Sequence, residues 1–326
     1  MHPTLTLLKR IERAEGKLDP ELRKLCDQYA VGILGSKKYA PWLYVYALIA
    51  GRFKEGWIPD NYYAGIVVPS MKGPYGYTSD LKGWQSSLLT TNFPDILYRV
   101  NGLFFDTERR VVSCQEAVNV IFSSRDEVVF KIDQGKQGNG IQVIRSGDLT
   151  GQDLCSWPNG VFQWYIDQHP ALARFHPDSV ATLRLTTAVT DSGAIALRAA
   201  YIRFGTGSDS HVKSASHLRV PVDISNGTLT EFGYTADWIK TDRHPDTGGM
   251  FSGSTIPSFS GCVVKVLEAH SEIPFVRCVG WDVTVDNSGA VHILEWNGAH
   301  NDIKFSEATQ GPCFADLGWE TLWRVQ

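Results

Sequence analysis

Three residues near the C-terminal end place oxygen donors at a spacing that can hold a hard cation. They lie in Val279-Gly-Trp-Asp-Val-Thr-Val-Asp-Asn-Ser-Gly-Ala-Val-His-Ile-Leu-Glu-Trp-Asn297. This stretch predicts two alternating strands joined at Asp286-Asn287-Ser288-Gly289, a cluster of turn formers. With the turn centred between Asn287 and Ser288, Asp282 lies opposite Ile293. Side chains alternate with period two, so Asp282, Ile293, Glu295 and Asn297 then share one face. Two carboxylates and an amide oxygen suit Mg²⁺, which is held by one or two carboxylates together with substrate phosphates. A polar surface hairpin satisfies the same pattern. The two readings part on whether the rest of the chain supplies a nucleotide.

Lys131 closes the predicted strand Glu127-Val-Val-Phe-Lys-Ile132, and Asp133-Gln-Gly-Lys-Gln-Gly-Asn-Gly140 follows as a glycine-rich loop. A P-loop or dinucleotide fingerprint needs a helix directly after its glycines, so that phosphates sit on the helix N-terminus. Here a returning strand, Ile141 to Arg145, follows instead. Gly135, Gly138 and Gly140 therefore predict a hairpin lid that folds over a triphosphate while Lys131 neutralises charge, with a plain glycine-tipped hairpin as the alternative. Protein kinases use a glycine hairpin comparably, but their catalytic-loop motif is absent. Arg184 sits in mid-strand among apolar neighbours, where an unpaired charge is costly, which points to function.

The elements that must position these residues follow from periodicity. Residues 1 to about 55 read as helical, with Leu5, Leu8, Ile11 and then Leu18, Leu22, Leu25 at helical spacing and Asp19-Pro20 as a cap and first helical position. Residues 57–80, rich in Gly, Pro and Tyr, read as loop. Asp80-Leu81-Lys82 opens a short helix to about Thr90. Strands are then expected at 96–100, 103–105, 127–132, 141–145, 161–166, 182–189, 194–203 and 218–224, with helices at 114–122 and 259–273 and a polar loop at 205–217. Strands in succession without intervening helices indicate antiparallel sheets and an α+β fold.

The 326 residues carry 31 basic and 35 acidic side chains, with no basic run that would call for nucleic acid. The longest apolar window, Pro41 to Gly51, falls short of the about 20 residues a bilayer requires, and no signal-peptide pattern is expected. Cys26, Cys114, Cys155, Cys262, Cys278 and Cys313 show no Cys-x-x-Cys spacing. They are expected as buried free thiols in a reducing, cytoplasmic setting, outside any disulfide framework or zinc knuckle. Ten Trp and twelve Tyr are expected mainly in the core. No Gly-x-Ser-x-Gly elbow and no His-Glu-x-x-His motif favours a hydrolase.

Taken together and in this order, the signatures over roughly residues 75–311 resemble the ATP-grasp superfamily, most closely its sugar-transfer-associated family. Asp80-Leu-Lys82 resembles the helix start whose lysine reaches nucleotide phosphates, and Val129-Phe-Lys131 with the glycine loop resembles the second phosphate lysine and its lid. Phe162-Gln163-Trp164-Tyr165-Ile166 resembles the linker that bonds adenine through its backbone. His176-Pro-Asp-Ser-Val-Ala-Thr-Leu-Arg184, His244-Pro-Asp-Thr-Gly248 and Ile256-Pro257 resemble runs particular to this family. Gly280-Trp-Asp282 and Leu294-Glu-Trp-Asn297 resemble its metal-binding strand pair. One loop departs: His211-Val-Lys-Ser-Ala-Ser-His217 stands where an Asp-Asn and a Gly-Gly pair are usual.

The resemblance implies two α+β lobes clamping a nucleotide behind a helical N-terminal region: residues 1–75, then a lid lobe at 76–160 and a catalytic lobe at 161–326. It implies an ATP- and Mg²⁺-dependent carboxylate–amine ligase acting on small molecules through an acyl phosphate. Lys82, Lys131, Gly135, Gly138, Gly140 and Gln163 to Ile166 would hold ATP. Asp282, Glu295 and Asn297 would hold Mg²⁺, and Arg184 with Lys131 would stabilise the transferring group. A kinase-like phosphotransferase and a non-catalytic nucleotide- or carbohydrate-binding protein are the rival readings. The acid, the amine and the oligomeric state are not encoded in these signals.

Overall fold

A computed structural model describes residues 3–325 except 92, 136–139, 150, 209–210 and 212–215. The N-terminal region is helical as expected: α1 (Pro3–Glu15), α2 (Pro20–Gly32) and α3 (Ala40–Ala50). Asp19 caps α2 by accepting from the Glu21 amide at 2.7 Å, with Pro20 in the first helical turn. α3 ends at Gly51, whose φ of 66° is left-handed backbone that glycine adopts without steric cost.

Two antiparallel sheets follow, giving the α+β class. The first has six strands in the order β3-β2-β1-β6-β4-β5: β1 (Asp95–Val100), β2 (Leu103–Asp106), β3 (Val111–Val112), β4 (Glu127–Ile132), β5 (Ile141–Arg145) and β6 (Gly160–Trp164). Between β3 and β4 lies α4 (Cys114–Ile121), started by a Ser113–Glu116 capping box. The second has seven strands in the order β11-β10-β9-β8-β7-β12-β13. They are β7 (Thr182–Val189), β8 (Ile195–Phe204), β9 (Leu218–Pro221), β10 (Gly233–Tyr234), β11 (Lys240–Thr241), β12 (Cys278–Val285) and β13 (Val291–Asn297). α5 (Phe259–Glu272) precedes β12, and α6 (Lys304–Thr309) follows β13.

The seven-stranded sheet is buried on both faces by different partners. Trp281, Val283, Ile293 and Trp296 pack with Val266 and Ala269 of α5. Tyr201, Tyr234 and Phe305 instead join Leu43, Tyr46 and Trp57 of the helical region. Glu307 fastens this second interface: its carboxylate accepts from the Ile58 and Cys313 amides at 2.8 and 2.7 Å, and its carbonyl from Trp57 Nε1 at 2.8 Å.

Several expectations need correction. Residues 60–71 form helical turns, widened to a π-helix over Tyr63–Val67, where loop was expected. Burial of Tyr62, Tyr63, Val67 and Val68 outweighs the turn-forming composition. No helix opens at Lys82; one 3₁₀ segment, Gly73–Asp80, ends just before it, and of the short helix expected to about Thr90 only a 3₁₀ turn, Gln85–Leu88, forms. The Gly83 amide is instead taken by the Asp133 carboxylate at 3.1 Å. Cys114 and Cys155 form a disulfide, so four cysteines and not six are buried free thiols. Their partnership joins positions 41 residues apart, which no spacing rule reads. Among the described residues, no helix is long and apolar enough to cross a membrane.

Candidate active site

The hairpin β12–β13 brings Asp282 and Glu295 into direct cross-strand pairing, with Gly280 opposite Asn297. The route to this register differs from the expected one. The Asp286 carboxylate accepts from the Ser288 and Ala290 amides, both at 2.9 Å, and builds a wider turn in which Val285 faces Val291. Continued regularly, that register would set Asp282 opposite Leu294 and turn Glu295 to the other face. A bulge between the Val283–Ile293 and Asp282–Glu295 pairs inserts one residue and restores the carboxylate pair. Ile293 consequently lies in the core, fully buried, and not beside the carboxylates as expected.

On the next strand, Arg184 pairs with Asp282 in register. Its Nε and Nη2 donate to the two Asp282 oxygens at 2.6 and 3.1 Å, and Nη1 donates to the Asn301 carbonyl at 2.9 Å. Arg203 Nη2 stands 2.8 Å from the same carboxylate. Burial pushes the Asp282 carboxyl up, but the two guanidinium groups outweigh it and hold it far below the usual carboxylate range. Lys82 Nζ lies 3.0 Å from Glu295 Oε2. The main-chain carbonyl of Leu294, exposed by the bulge, accepts from Lys131 Nζ and Gln163 Nε2, both at 3.2 Å. Burial pulls Lys131 below the usual lysine range, with Lys82 adding to the effect and Glu295 opposing it.

These groups wall a cleft of about 120 Å³ between the two sheets. Its lining combines apolar side chains, Val129, Ile141, Val143, Trp164, Ile166 and Leu294, with polar ones, Lys131, Gln163, Arg203, Asp282 and Glu295. Of the residues singled out from sequence, Lys131, Gln163, Trp164, Tyr165, Ile166, Asp282 and Glu295 meet at this cleft. Lys82 joins through Glu295 and Arg184 through Asp282. Asn297 lies two residues along the same strand, its amide nitrogen donating to the Gly280 carbonyl at 3.2 Å. Gly135 follows β4 and Gly140 precedes β5; Gly140 has a φ of 78° and its carbonyl accepts from the Ile132 amide. Gly138 lies outside the described residues. The Trp164 amide is already bonded to the Pro94 carbonyl at 2.8 Å, so that group is not free to read a base.

Four cationic side chains face two carboxylates here, an excess that favours a polyanion. The donor set fits Mg²⁺: paired carboxylates on one sheet face, with the Asn297 amide beside them. Among the described residues, no three His, Cys, Asp or Glu side chains converge to hold a metal. A cation at Asp282 and Glu295 therefore needs further oxygens from a ligand. Arg203 was missed from sequence, although it occupies an apolar strand as Arg184 does. Thr182 and Val180, also at the cleft, belong to the run His176 to Arg184 that carried the family resemblance, but neither was singled out as a site residue.

A comparison with curated proteins gives no match. Among solved structures, the chain is similar to the ATP-grasp ligase PsnB complexed with minimal precursor, at 14% identity and TM-score 0.46, over 78% of this chain and 64% of that one. It is similar to biotin carboxylase from Campylobacter jejuni in a β,γ-ATP complex, at 10% identity and TM-score 0.46, over 86% and 51%. It is also similar to purK, N5-carboxyaminoimidazole ribonucleotide synthetase, in its ADP complex, at 12% identity and TM-score 0.37, over 63% and 40%. The chain thus spans less than two thirds of the length of each of these. Residues 149–316, just over half the chain, match the family described as sugar-transfer associated ATP-grasp, and the chain belongs to that family.

Proposed function

We propose that this protein is an ATP- and Mg²⁺-dependent carboxylate–amine ligase working on small molecules, with the cleft between the two sheets as its nucleotide site. The observation that carries the reading is the Asp282–Glu295 pair walling the same cleft as Lys131. In this reading a carboxylate attacks the γ-phosphorus of ATP, ADP leaves, and an amine then displaces phosphate from the acyl phosphate. The helical region (1–75), lid lobe (76–160) and catalytic lobe (161–326) divide the work.

Mg²⁺, when bound, offsets negative charge on the phosphate oxygens. Asp282, Glu295 and Asn297 would hold it. Lys82 and Lys131 act as point charges on the phosphates, and each has a carboxylate or carbonyl partner that a phosphate can replace. Arg184, aligned by Asp282 and by the Asn301 carbonyl, is held rigid next to the transferring group, which limits reorganisation during the reaction. Gln163 to Ile166 line the cleft, where they would hold adenine, and Gly135, Gly138 and Gly140 would let the turn close over the phosphates and exclude water. The test is calorimetry with Mg-ATP followed by product analysis. ADP and free phosphate that appear together only when an amine accompanies a carboxylate support the ligase. A stable phosphorylated product would replace it with a phosphotransferase, and no Mg-ATP binding would refute both.

A further inference from the structure

Lys72 is a buried cation to which the chemistry above gives no task. It follows the helical turns of residues 60–71, and its Nζ donates to Asn301 Oδ1 at 2.8 Å. The same ammonium lies 5.0 Å from the Tyr63 ring centroid, and among the described residues no carboxylate pairs with it. Burial pulls Lys72 down to about 8, with Cys278 opposing the pull and Arg184 adding to it. A buried charge without a counter-charge is costly, and an apolar side chain of similar volume would fill the space without that cost. Lys72 is also the last in a series of ties between residues 72–85 and the end of β13. Lys82 meets Glu295, Gln85 Nε2 donates to the Trp296 carbonyl at 3.2 Å, and the Gly298 amide donates to Ser79 Oγ at 2.9 Å. One segment thus runs from the phosphate lysine at one end to Asn301 at the other.

Asn301 is where this series reaches Arg184. Its Oδ1 accepts from Lys72 Nζ and from the Tyr63 hydroxyl, which uses both lone pairs, and its Nδ2 donates to Cys278 Sγ at 3.6 Å. The flipped amide would set its N–H groups against two donors, so the side chain has one orientation. The main-chain carbonyl of the same residue accepts from Arg184 Nη1 at 2.9 Å. Asn301 has no slack toward β12, because a methyl group at Gly280 would stand 2.8 Å from its Cβ and 3.3 Å from Arg184 Cδ. The Arg184 guanidinium therefore rests on two supports, the Asp282 carboxylate and a carbonyl whose own residue is tied to Lys72 and Tyr63 of the N-terminal region.

We propose that Lys72 is a positioning residue for Arg184, acting through Asn301 to align the guanidinium with the phosphoryl group in transfer. The proposal deepens the ligase reading and rests on it, since that reading gives Arg184 its task. The experiment uses the full chain and two probes, Mg-ADP alone and Mg-ADP with fluoroaluminate, which mimics a phosphoryl group in transfer. Calorimetry on the unaltered protein is expected to show Mg-ADP binding about 100-fold tighter, or more, when fluoroaluminate is present. Lys72→Met should lose at least about tenfold of that tightening, while the Kd for Mg-ADP alone moves less than about twofold. Replacing an unpaired buried charge by an apolar chain of similar length is often neutral for folding. Tyr63→Phe keeps the buried ring, removes only the second donor to Asn301 and should lose about threefold. It carries the test if Lys72→Met does not fold. Tightening kept within about twofold in the folded variants overturns the proposal and leaves the nucleotide site standing. An equal loss with both probes also overturns it, because Lys72 would then support the whole cleft and not the transfer step. No Mg-ADP binding by the unaltered protein, or no effect of fluoroaluminate on it, overturns the ligase reading itself.

Discussion

Asp282 and Arg203 stand 2.8 Å apart, on a carboxylate that Arg184 already grips through two hydrogen bonds, so one buried anion serves two guanidinium groups. Removing the anion leaves both cations without their counter-charge, which costs about 3–5 kcal/mol for a buried pair. Asp282→Asn is expected to lose about that much stability in urea unfolding; an unshifted midpoint would show that the pairing is not the electrostatic centre of the site. Acid probes the same group. A depressed folded value stabilises above the unfolded value of about 3.9 and is lost as pH falls below it. The unaltered protein should therefore lose stability more steeply than Asp282→Asn between about pH 4 and about pH 2.

Glu295→Ala should abolish ATP turnover in a protein that still folds. Partners one step removed from a metal already cost 10–100-fold, so loss of a direct ligand is expected to cost at least about 100-fold. Circular dichroism serves as the folding control, and full activity would dismiss the metal assignment. With two carboxylates rather than a closed cage, Mg²⁺ should bind appreciably only alongside nucleotide; tight calorimetric binding of Mg²⁺ alone would count against this.

Lys131→Ala is expected to weaken Mg-ATP binding about tenfold or more, equivalent to about 1.4 kcal/mol. Because burial pulls this lysine down in the free protein, phosphates arriving beside it should raise it again. Binding is then accompanied by proton uptake at any pH where the free protein's Lys131 is partly deprotonated, visible as a dependence of the calorimetric heat on buffer ionisation enthalpy. Lys131→Ala should remove that dependence, and its persistence would assign the proton to another group.

Glu307 gives a pH effect of opposite sign. Burial pushes its carboxyl up to about 7, against the pull of the Ile58 and Cys313 amides. An acid raised in the folded state releases its proton first from the unfolded chain, so stability falls as pH rises from about 4.5 to about 7 and then levels. The size is on the order of 3 kcal/mol. Melting temperatures of the unaltered protein should decline across that window, and Glu307→Gln should flatten the decline.

Much of the architecture follows from alternation and spacing. The apolar/polar pattern of β12 is regular, and the Asp19-Pro20 cap is local, so both can be read residue by residue. The helical turns at 60–71 could not be, because Gly, Pro and Tyr mark loops unless a distant partner buries the aromatics, as the sheet-side core does for Tyr62 and Tyr63. At the site, Asp282 and Glu295 were legible as a pair, but for an incomplete reason. The turn is wider than the tightest one the residues allow, and a bulge cancels the slip. Arg203 stands in apolar β8 as Arg184 stands in apolar β7, yet its tie to Asp282 depends on sheet order, which periodicity does not supply. The Cys114–Cys155 link likewise depends on where two distant segments come to rest.

The bulge also has a mechanical side. By lifting one peptide out of the ladder, it offers the Leu294 carbonyl to Lys131 on β4 and Gln163 on β6, two adjacent strands of the opposite sheet. Two tethers meeting at one atom resist separation there while permitting rotation, as a ball joint does. A phosphate that draws Lys131 away would release one tether and leave the other, so occupancy of the cleft would change the stiffness of the joint between the two sheets before changing its position.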